Sequence, residues 1–128
     1  MNKIVVFSLE KRFKKFEKPI FLVVMKLLEV IGKNNIYLEI YLAGNETMRF
    51  LNRKFRGKNK AANVLSFNEP NNFPHPELVG RGAIKEIKPI GEIYLNLTDD
   101  LRLTTNNSRG LSAISYRLLL HGLLHLLG

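Results

Sequence analysis

Residues 36–42, IYLEIYL, decide the fold, because aliphatic side chains alternate with tyrosine or glutamate over seven positions. The branched aliphatic side chains at every second position share one face: Ile36, Leu38, Ile40 and Leu42. The side chains between them, two tyrosines and a glutamate, share the other face. Alternation with a period of two is typical of a half-buried β-strand. The pattern therefore predicts a strand here with one face towards the core.

Two elements are predicted before this strand. The apolar run Ile4 to Phe7 makes residues 3–9 a strand. Residues 19–31 form a predicted helix, because Pro19 suits a first helical turn and Gly32 suits a helix exit.

Four elements are predicted after it. Asn45 is placed to cap a helix that runs to about Phe55, with a buried stripe at helical spacing: Met48, Leu51 and Phe55. Residues 63–67 and 92–97 are short β-rich runs. Residues 109–127 form a last helix, whose almost entirely apolar C-terminal end indicates burial.

Residues 68–90 separate the last two strands, and their prolines and paired asparagines indicate a largely irregular loop. The order of elements indicates an α/β or α+β fold, in which helices pack on a mixed sheet of about four strands. The chain has 128 residues, which predicts a single domain over 1–128.

The net charge of +9 lies entirely in residues 1–60. The basic residues there form two clusters: Lys11, Arg12, Lys14, Lys15 and Lys18, then Arg49, Arg53, Lys54, Arg56, Lys58 and Lys60. Such asymmetry indicates a polyanionic partner, and we favour nucleic acid over a merely solvated surface. The apolar run 20–28 is broken by Lys26 and is too short to span a membrane, so we expect a cytoplasmic protein without a membrane segment.

A histidine pair, His121 and His125, stands four residues apart on the last predicted helix. Imidazoles at this spacing share a helix face and can reach one divalent ion, and titratable rings among leucines are costly unless they are held. The chain has no cysteine, so histidines and carboxylates must hold any metal. His75, in the proline-rich loop, is the third histidine, and we expect it to be solvated rather than a ligand.

A metalloprotease would need a glutamate directly after the first histidine as general base. Gly122 stands there instead, and nothing at this position can take a proton. We expect the missing side chain to leave room for a substrate or for another backbone. The protease interpretation is therefore disfavoured, while metal binding and structural histidines both remain open.

Four segments together resemble the YbeY family of metal-dependent endoribonucleases. They are HGLLHLLG at 121–128, LNRKFRGK at 51–58, NVLSF at 63–67 and GEI at 91–93, and they occur in the family's order. Two departures are mild: Ala62-Asn63 replaces the common Thr-Asp, and Glu92 replaces the commoner Asp.

The resemblance implies a zinc ion held by three histidines, namely His121, His125 and a third one expected three residues beyond Gly128. The sequence stops three residues short of that position, so either a short C-terminal tail follows residue 128, which is the alternative we favour, or the protein lacks this ligand. The resemblance also implies hydrolysis of single-stranded RNA, in maturation of the 3′ end of 16S ribosomal RNA and in ribosome quality control.

Arg56 matches the family's functionally important arginine, and its planar guanidinium would hold the scissile phosphate. Ser66 either forms a hydrogen bond near the metal or packs as an ordinary strand residue.

The other basic residues near Arg56 would bind backbone phosphates: Arg49, Arg53, Lys54, Lys58 and Lys60. Phe55 and Phe67 could stack bases, although we expect core packing for both. The competing function is a non-catalytic RNA- or ribosome-binding module, for which the basic half of the chain suffices and the histidines are structural.

Overall fold

The computed structural model describes residues 2–68, 88–103 and 113–128. In chain order, its elements are β1 (Lys3–Ser8), a 3-10 helix (Lys11–Phe16), α1 (Glu17–Ile31), β2 (Ile36–Ala43), α2 (Asn45–Arg56), β3 (Val64–Asn68), β4 (Lys88–Asn96), α3 (Thr98–Leu103) and α4 (Ala113–Leu127). No described helix is long and apolar enough to cross a membrane.

The four strands form one mixed sheet in the order β1-β2-β4-β3. β2 is parallel to both of its neighbours, whereas β3 runs antiparallel to β4 and forms an edge. The predicted fold class, helices on a mixed four-stranded sheet, is confirmed.

The main core lies between one face of this sheet and the helices α1 and α4. β2 contributes the aliphatic residues of its predicted apolar face, and Leu38, Ile40 and Leu42 have no exposed surface. Ile20, Val24 and Leu28 come from α1, and Leu119 and Leu123 from α4. Burial of side chains of this size is the main stabilising term of such a core.

The opposite face of the sheet is more covered than the alternation predicts. Tyr37 is buried, and Glu39 accepts hydrogen bonds from the hydroxyls of Tyr37 at 2.8 Å and Tyr41 at 3.3 Å. α2 packs over one end of this face, where Met48 joins Ala43 and Leu65 in a second small core.

Two expectations for α2 are wrong in detail. Gly44, not Asn45, precedes the first helical residue and has no side chain to cap the helix, and the Asn45 amide donates to Thr98 Oγ1 at 3.0 Å. Asn45 Oδ1 instead accepts a hydrogen bond from Asn96 Nδ2 at 2.8 Å, which ties α2 to the end of β4. Phe55 lies on the predicted stripe but is 57% exposed, because it projects from the last turn of the helix against Phe67 of the edge strand β3.

Two helices are absent from the sequence prediction. The 3-10 helix carries most of the first basic cluster, and it buries Phe13 and Phe16 three residues apart, which is its own period. α3 is a short helix that places Asp100 against Ser115 of α4, with a hydrogen bond of 2.6 Å between their side chains. The predicted loop 68–90 is wrong at its two ends, because Asn68 ends β3 and residues 88–90 begin β4. The rest of it, 69–87 with His75, and the predicted helix start at 109 lie outside the described residues.

Gly91 is the residue of β4 that cannot carry a side chain. Its φ is +139°, and a Cβ atom there would overlap the carbonyl oxygen of Phe67 and lie 3.0 Å from Leu126 Cδ2. We therefore expect Gly91→Ala to lower the free energy of unfolding by about 2–4 kcal/mol, measured by denaturant unfolding.

Gly122→Ala is the matched control for that substitution. A Cβ at Gly122 would lie 3.5 Å from side-chain atoms of Ile93 and Val64, which is ordinary contact, and alanine favours a helix. We expect a change within about 1 kcal/mol. Equal stability of the two variants would contradict the proposed overlap at Gly91.

Candidate active site

The histidine pair lies on the outer side of α4. Leu119, Leu123 and Leu126 of this helix are buried, whereas His121 and His125 are exposed. Leu124 shares the exposed side of the helix with the two rings, so the expected burial of this end of the helix is wrong on that side. Two exposed imidazoles on adjacent turns leave ring nitrogens accessible to a ligand from solvent.

Gly122 has a different role from the one predicted. It is buried and faces Ile93 and Val64 of the sheet, not the side of the helix that carries the histidines. Its missing side chain lets α4 lie close to β3 and β4, and it opens no space for a substrate.

Ser66 of β3 holds His125 in place. The distance between Ser66 Oγ and His125 Nδ1 is 2.8 Å, which is a hydrogen bond. In the tautomer that carries its proton on Nδ1, the ring donates to Ser66 and keeps the lone pair of Nε2 for a ligand. Histidines that bind metals are commonly oriented in this way by a partner on the second nitrogen. The Ser66 side chain thus contacts one of the two predicted metal ligands.

We expect Ser66→Ala to weaken binding of zinc at the predicted histidine site by about 10- to 100-fold, because the His125 ring loses the partner that orients it. Competition with a chromophoric chelator measures the affinity. Ser66→Thr keeps the hydroxyl on a strand residue and is the control. An unchanged affinity of Ser66→Ala for zinc would show that the hydrogen bond does not contribute to metal binding.

The edge strand β3 connects the histidine pair with the end of α2. Successive strand residues point to opposite faces, so Ser66 reaches His125 on one face while Phe67 lies on the other. The Phe67 ring is 5.4 Å from the ring of Phe55, centroid to centroid. Arg56, the last residue of α2, follows Phe55 directly and is exposed. The helix α2, which carries Arg56, and the helix α4, which carries His125, therefore contact β3 from opposite faces of the sheet.

Asn52 shapes the segment that follows Arg56, and the sequence analysis assigned it no role. Its side chain is 3% exposed, and its Nδ2 donates to the Lys60 carbonyl at 2.9 Å. The Lys58 amide donates to the Asn52 carbonyl at 3.2 Å, and Gly57 ends α2 with a left-handed φ of +68°. The sequence does contain a sign of this role, because Asn52 is a polar residue one helical turn after Met48, on the face that α2 buries. These bonds fold the chain back so that Lys58 and Lys60 stay exposed near Arg56.

The first basic cluster reaches the residue that precedes α2. Arg12 of the 3-10 helix lies beside Gly44, where a Cβ atom would be 2.6 Å from Arg12 Nη2. All eleven basic residues of the two clusters are exposed. Arg12 is paired there with Glu10 at 2.8 Å, and the second cluster begins at Arg49 on α2 itself.

The face of the sheet beside α2 carries acidic rather than basic side chains. Tyr41 and Tyr94 stack with their ring centroids 4.8 Å apart, next to the carboxylates of Glu39 and Glu92. Burial, together with these two carboxylates, raises the pKa of both tyrosines. Their hydroxyls therefore stay protonated at neutral pH. This face therefore carries negative charge, whereas the exposed side of α2 carries positive charge.

The described residues offer an incomplete set of metal ligands. Within residues 2–68, 88–103 and 113–128 there is no group of three or more histidines and carboxylates that could hold an ion. The pair on α4 supplies two imidazoles, a donor type that suits zinc, whereas a catalytic zinc site commonly uses three protein ligands.

Comparison with known proteins identifies the family. The sequence model of the family Endoribonuclease YbeY matches residues 4–128. The Endoribonuclease YbeY of Anaeromyxobacter sp. strain Fw109-5 is 36% identical over 101 residues, which cover 79% of this chain and 47% of that protein. The one of Sulfurihydrogenibium sp. strain YO3AOP1 is 34% identical over 115 residues, covering 90% of this chain and 67% of that protein.

The matched part of the chain thus spans about half of the first relative and two thirds of the second. The solution structure of TM1509 from Thermotoga maritima is similar over 98% of this chain and 72% of that one, with a TM-score of 0.49 and 23% identity. The family match extends over residues 4–128, the range in which the histidine pair, Ser66 and Arg56 lie. The chain is a member of the Endoribonuclease YbeY family.

Proposed function

We propose that the protein is a zinc-dependent endoribonuclease that hydrolyses phosphodiester bonds in single-stranded RNA. The observation that carries this proposal is the exposed histidine pair, with His125 oriented by Ser66, in a chain of this family. We further propose that the substrate is ribosomal RNA, at the 3′ end of the 16S molecule and in ribosome quality control. This places the protein in the cytoplasm, with the ribosome as partner.

His121 and His125 would hold the zinc ion, and the proposal takes the third ligand to be a histidine three residues beyond Gly128. Exposed imidazoles at this spacing, one of them with a fixed Nδ1, fit such an ion. When bound, zinc supplies a Lewis acid for a phosphoryl oxygen and a water of lowered pKa. Ser66 keeps the His125 ring in one orientation throughout the reaction.

Arg56 would bind the scissile phosphate through two parallel N–H···O bonds. The planar guanidinium can follow the phosphoryl oxygens as their negative charge grows, which stabilises the transition state. The neighbouring basic side chains would hold other phosphates of the strand: Arg49, Arg53, Lys54, Lys58 and Lys60. Such contacts are insensitive to base sequence and weaken with salt.

Chelation separates this proposal from a non-catalytic RNA- or ribosome-binding function. The zinc-loaded protein is incubated with a labelled single-stranded RNA and with the same RNA as a duplex, while binding is followed by fluorescence anisotropy. We expect cleavage of the single strand only, loss of cleavage but not of binding in EDTA, and recovery when zinc is restored. Binding without cleavage by the zinc-loaded protein would overturn the enzymatic assignment and favour the binding module.

A further inference from the structure

Phe50 is an exposed aromatic residue on the most basic helix of the protein. Half of its surface is exposed, on the side of α2 that faces away from Met48 and the sheet. It lines a pocket of about 230 Å³, whose other described lining residues are Asn45, Glu46, Arg49 and Arg53. The pocket therefore combines one aromatic ring with two guanidinium groups.

The arginines near Phe50 follow the helix in a single row. Arg49, Arg53 and Arg56 are spaced by four and three residues, so their side chains leave α2 on one face. At 1.5 Å per residue the row is about 10 Å long. A row of exposed positive charges of this length fits successive phosphates of one RNA strand better than it fits a single small anion.

Lys54 adds charge between the aromatic rings. Its Nζ lies 5.7 Å from the ring centroid of Phe50 and 5.4 Å from that of Phe55. Cationic and aromatic groups thus alternate along the exposed side of α2. Proteins that bind single-stranded nucleic acid use this combination, because basic groups follow the backbone while bases stack on aromatic rings.

We propose that Phe50 stacks an unpaired base of the RNA substrate, while Arg49 and Arg53 bind the phosphates on either side of that nucleotide. Arg56 lies six positions after Phe50, which is about 9 Å along the helix axis, so the stacked base lies within about three nucleotides of the bond that is cut. Glu46, the acidic member of the pocket, can accept a hydrogen bond from the amino group of the base. The inference rests on the proposed function, because it extends the substrate strand away from Arg56.

The test compares Phe50→Ala with Phe50→Tyr, which keeps an aromatic ring. Phe21→Ala is the matched control, since Phe21 is a comparably exposed phenylalanine, 37%, on the separate helix α1. We expect Phe50→Ala to raise the KM for a short single-stranded RNA by about 5- to 100-fold, the range for the loss of one stacked base, with kcat nearly unchanged. Phe50→Tyr and Phe21→Ala should keep the KM of the unmodified protein.

A series of RNAs with one abasic position each identifies the stacked nucleotide. One position near the cleaved bond should raise the KM of the unmodified protein, and the same position should have no effect on Phe50→Ala. An abasic penalty of equal size in both proteins, an unchanged KM in Phe50→Ala, or a loss of kcat instead of KM would overturn the inference. If no variant cleaves RNA, the proposed function fails, but the dissociation constants of the same series still decide whether Phe50 stacks a base.

Discussion

Replacing Arg56 by Lys should lower kcat for single-stranded RNA by about 100-fold or more, the usual cost of losing one transition-state hydrogen-bond donor. Lysine keeps the positive charge, but its ammonium cannot form the two parallel bonds that a guanidinium makes with a phosphate. Arg56 is exposed at the end of α2, so the free energy of unfolding should change by no more than about 0.5 kcal/mol. Single-turnover cleavage under saturating enzyme measures the effect on the chemical step.

Arg53→Lys is the matched control, one turn earlier on the same helix face. Its proposed contact is with a phosphate outside the reacting bond, where a point charge serves nearly as well, so cleavage should fall by no more than about threefold. Full activity of Arg56→Lys would remove Arg56 from the proposed catalytic role. Equal losses of cleavage in both variants would show that the guanidinium groups of Arg53 and Arg56 contribute alike, rather than Arg56 alone at the scissile phosphate.

The sequence patterns that predicted the fold correctly are those in which local and tertiary requirements agree. Ile36–Ala43 alternates because one of its faces packs against α1 and α4, so the pattern alone predicts the strand. The 3-10 helix at Lys11–Phe16 has only two buried phenylalanines among basic residues, and that pattern is too short to stand out. Phe55 kept the spacing of a buried stripe, but its position beyond the edge of the sheet is a tertiary property.

The same distinction applies to the candidate site. The spacing of His121 and His125 predicts that they share a helix face, because a helix repeats every 3.6 residues. The direction in which that face points depends on which side of α4 packs on the sheet, and the pair proved to be exposed. The bond from Ser66 to His125 spans 59 residues, and Arg12 reaches Gly44 from another element. Contacts of this kind depend on strand order and register, which no local pattern specifies.

The second large effect is expected for the histidine pair. In the full-length protein, His121→Ala and His125→Ala should each remove bound zinc and lower cleavage at least about 1000-fold, since a Lewis acid contributes several kcal/mol to such a reaction. Both rings are exposed, so neither variant should unfold. His75→Ala is the control, because the proposal gives His75 no ligand role, and it should keep both zinc and activity. A His75 variant without zinc would instead identify that residue as a ligand.

Titration of zinc into the chelator-treated full-length protein, with cleavage of single-stranded RNA as the readout, tests the central claim most directly. Activity should be absent at the start, rise linearly, and reach its plateau at one zinc per chain. The double variant His121→Ala/His125→Ala should stay inactive at the same zinc concentrations. Cleavage by the metal-free protein, or a zinc-dependent rise in the double variant equal to that of the unmodified protein, would contradict an active site built on His121 and His125.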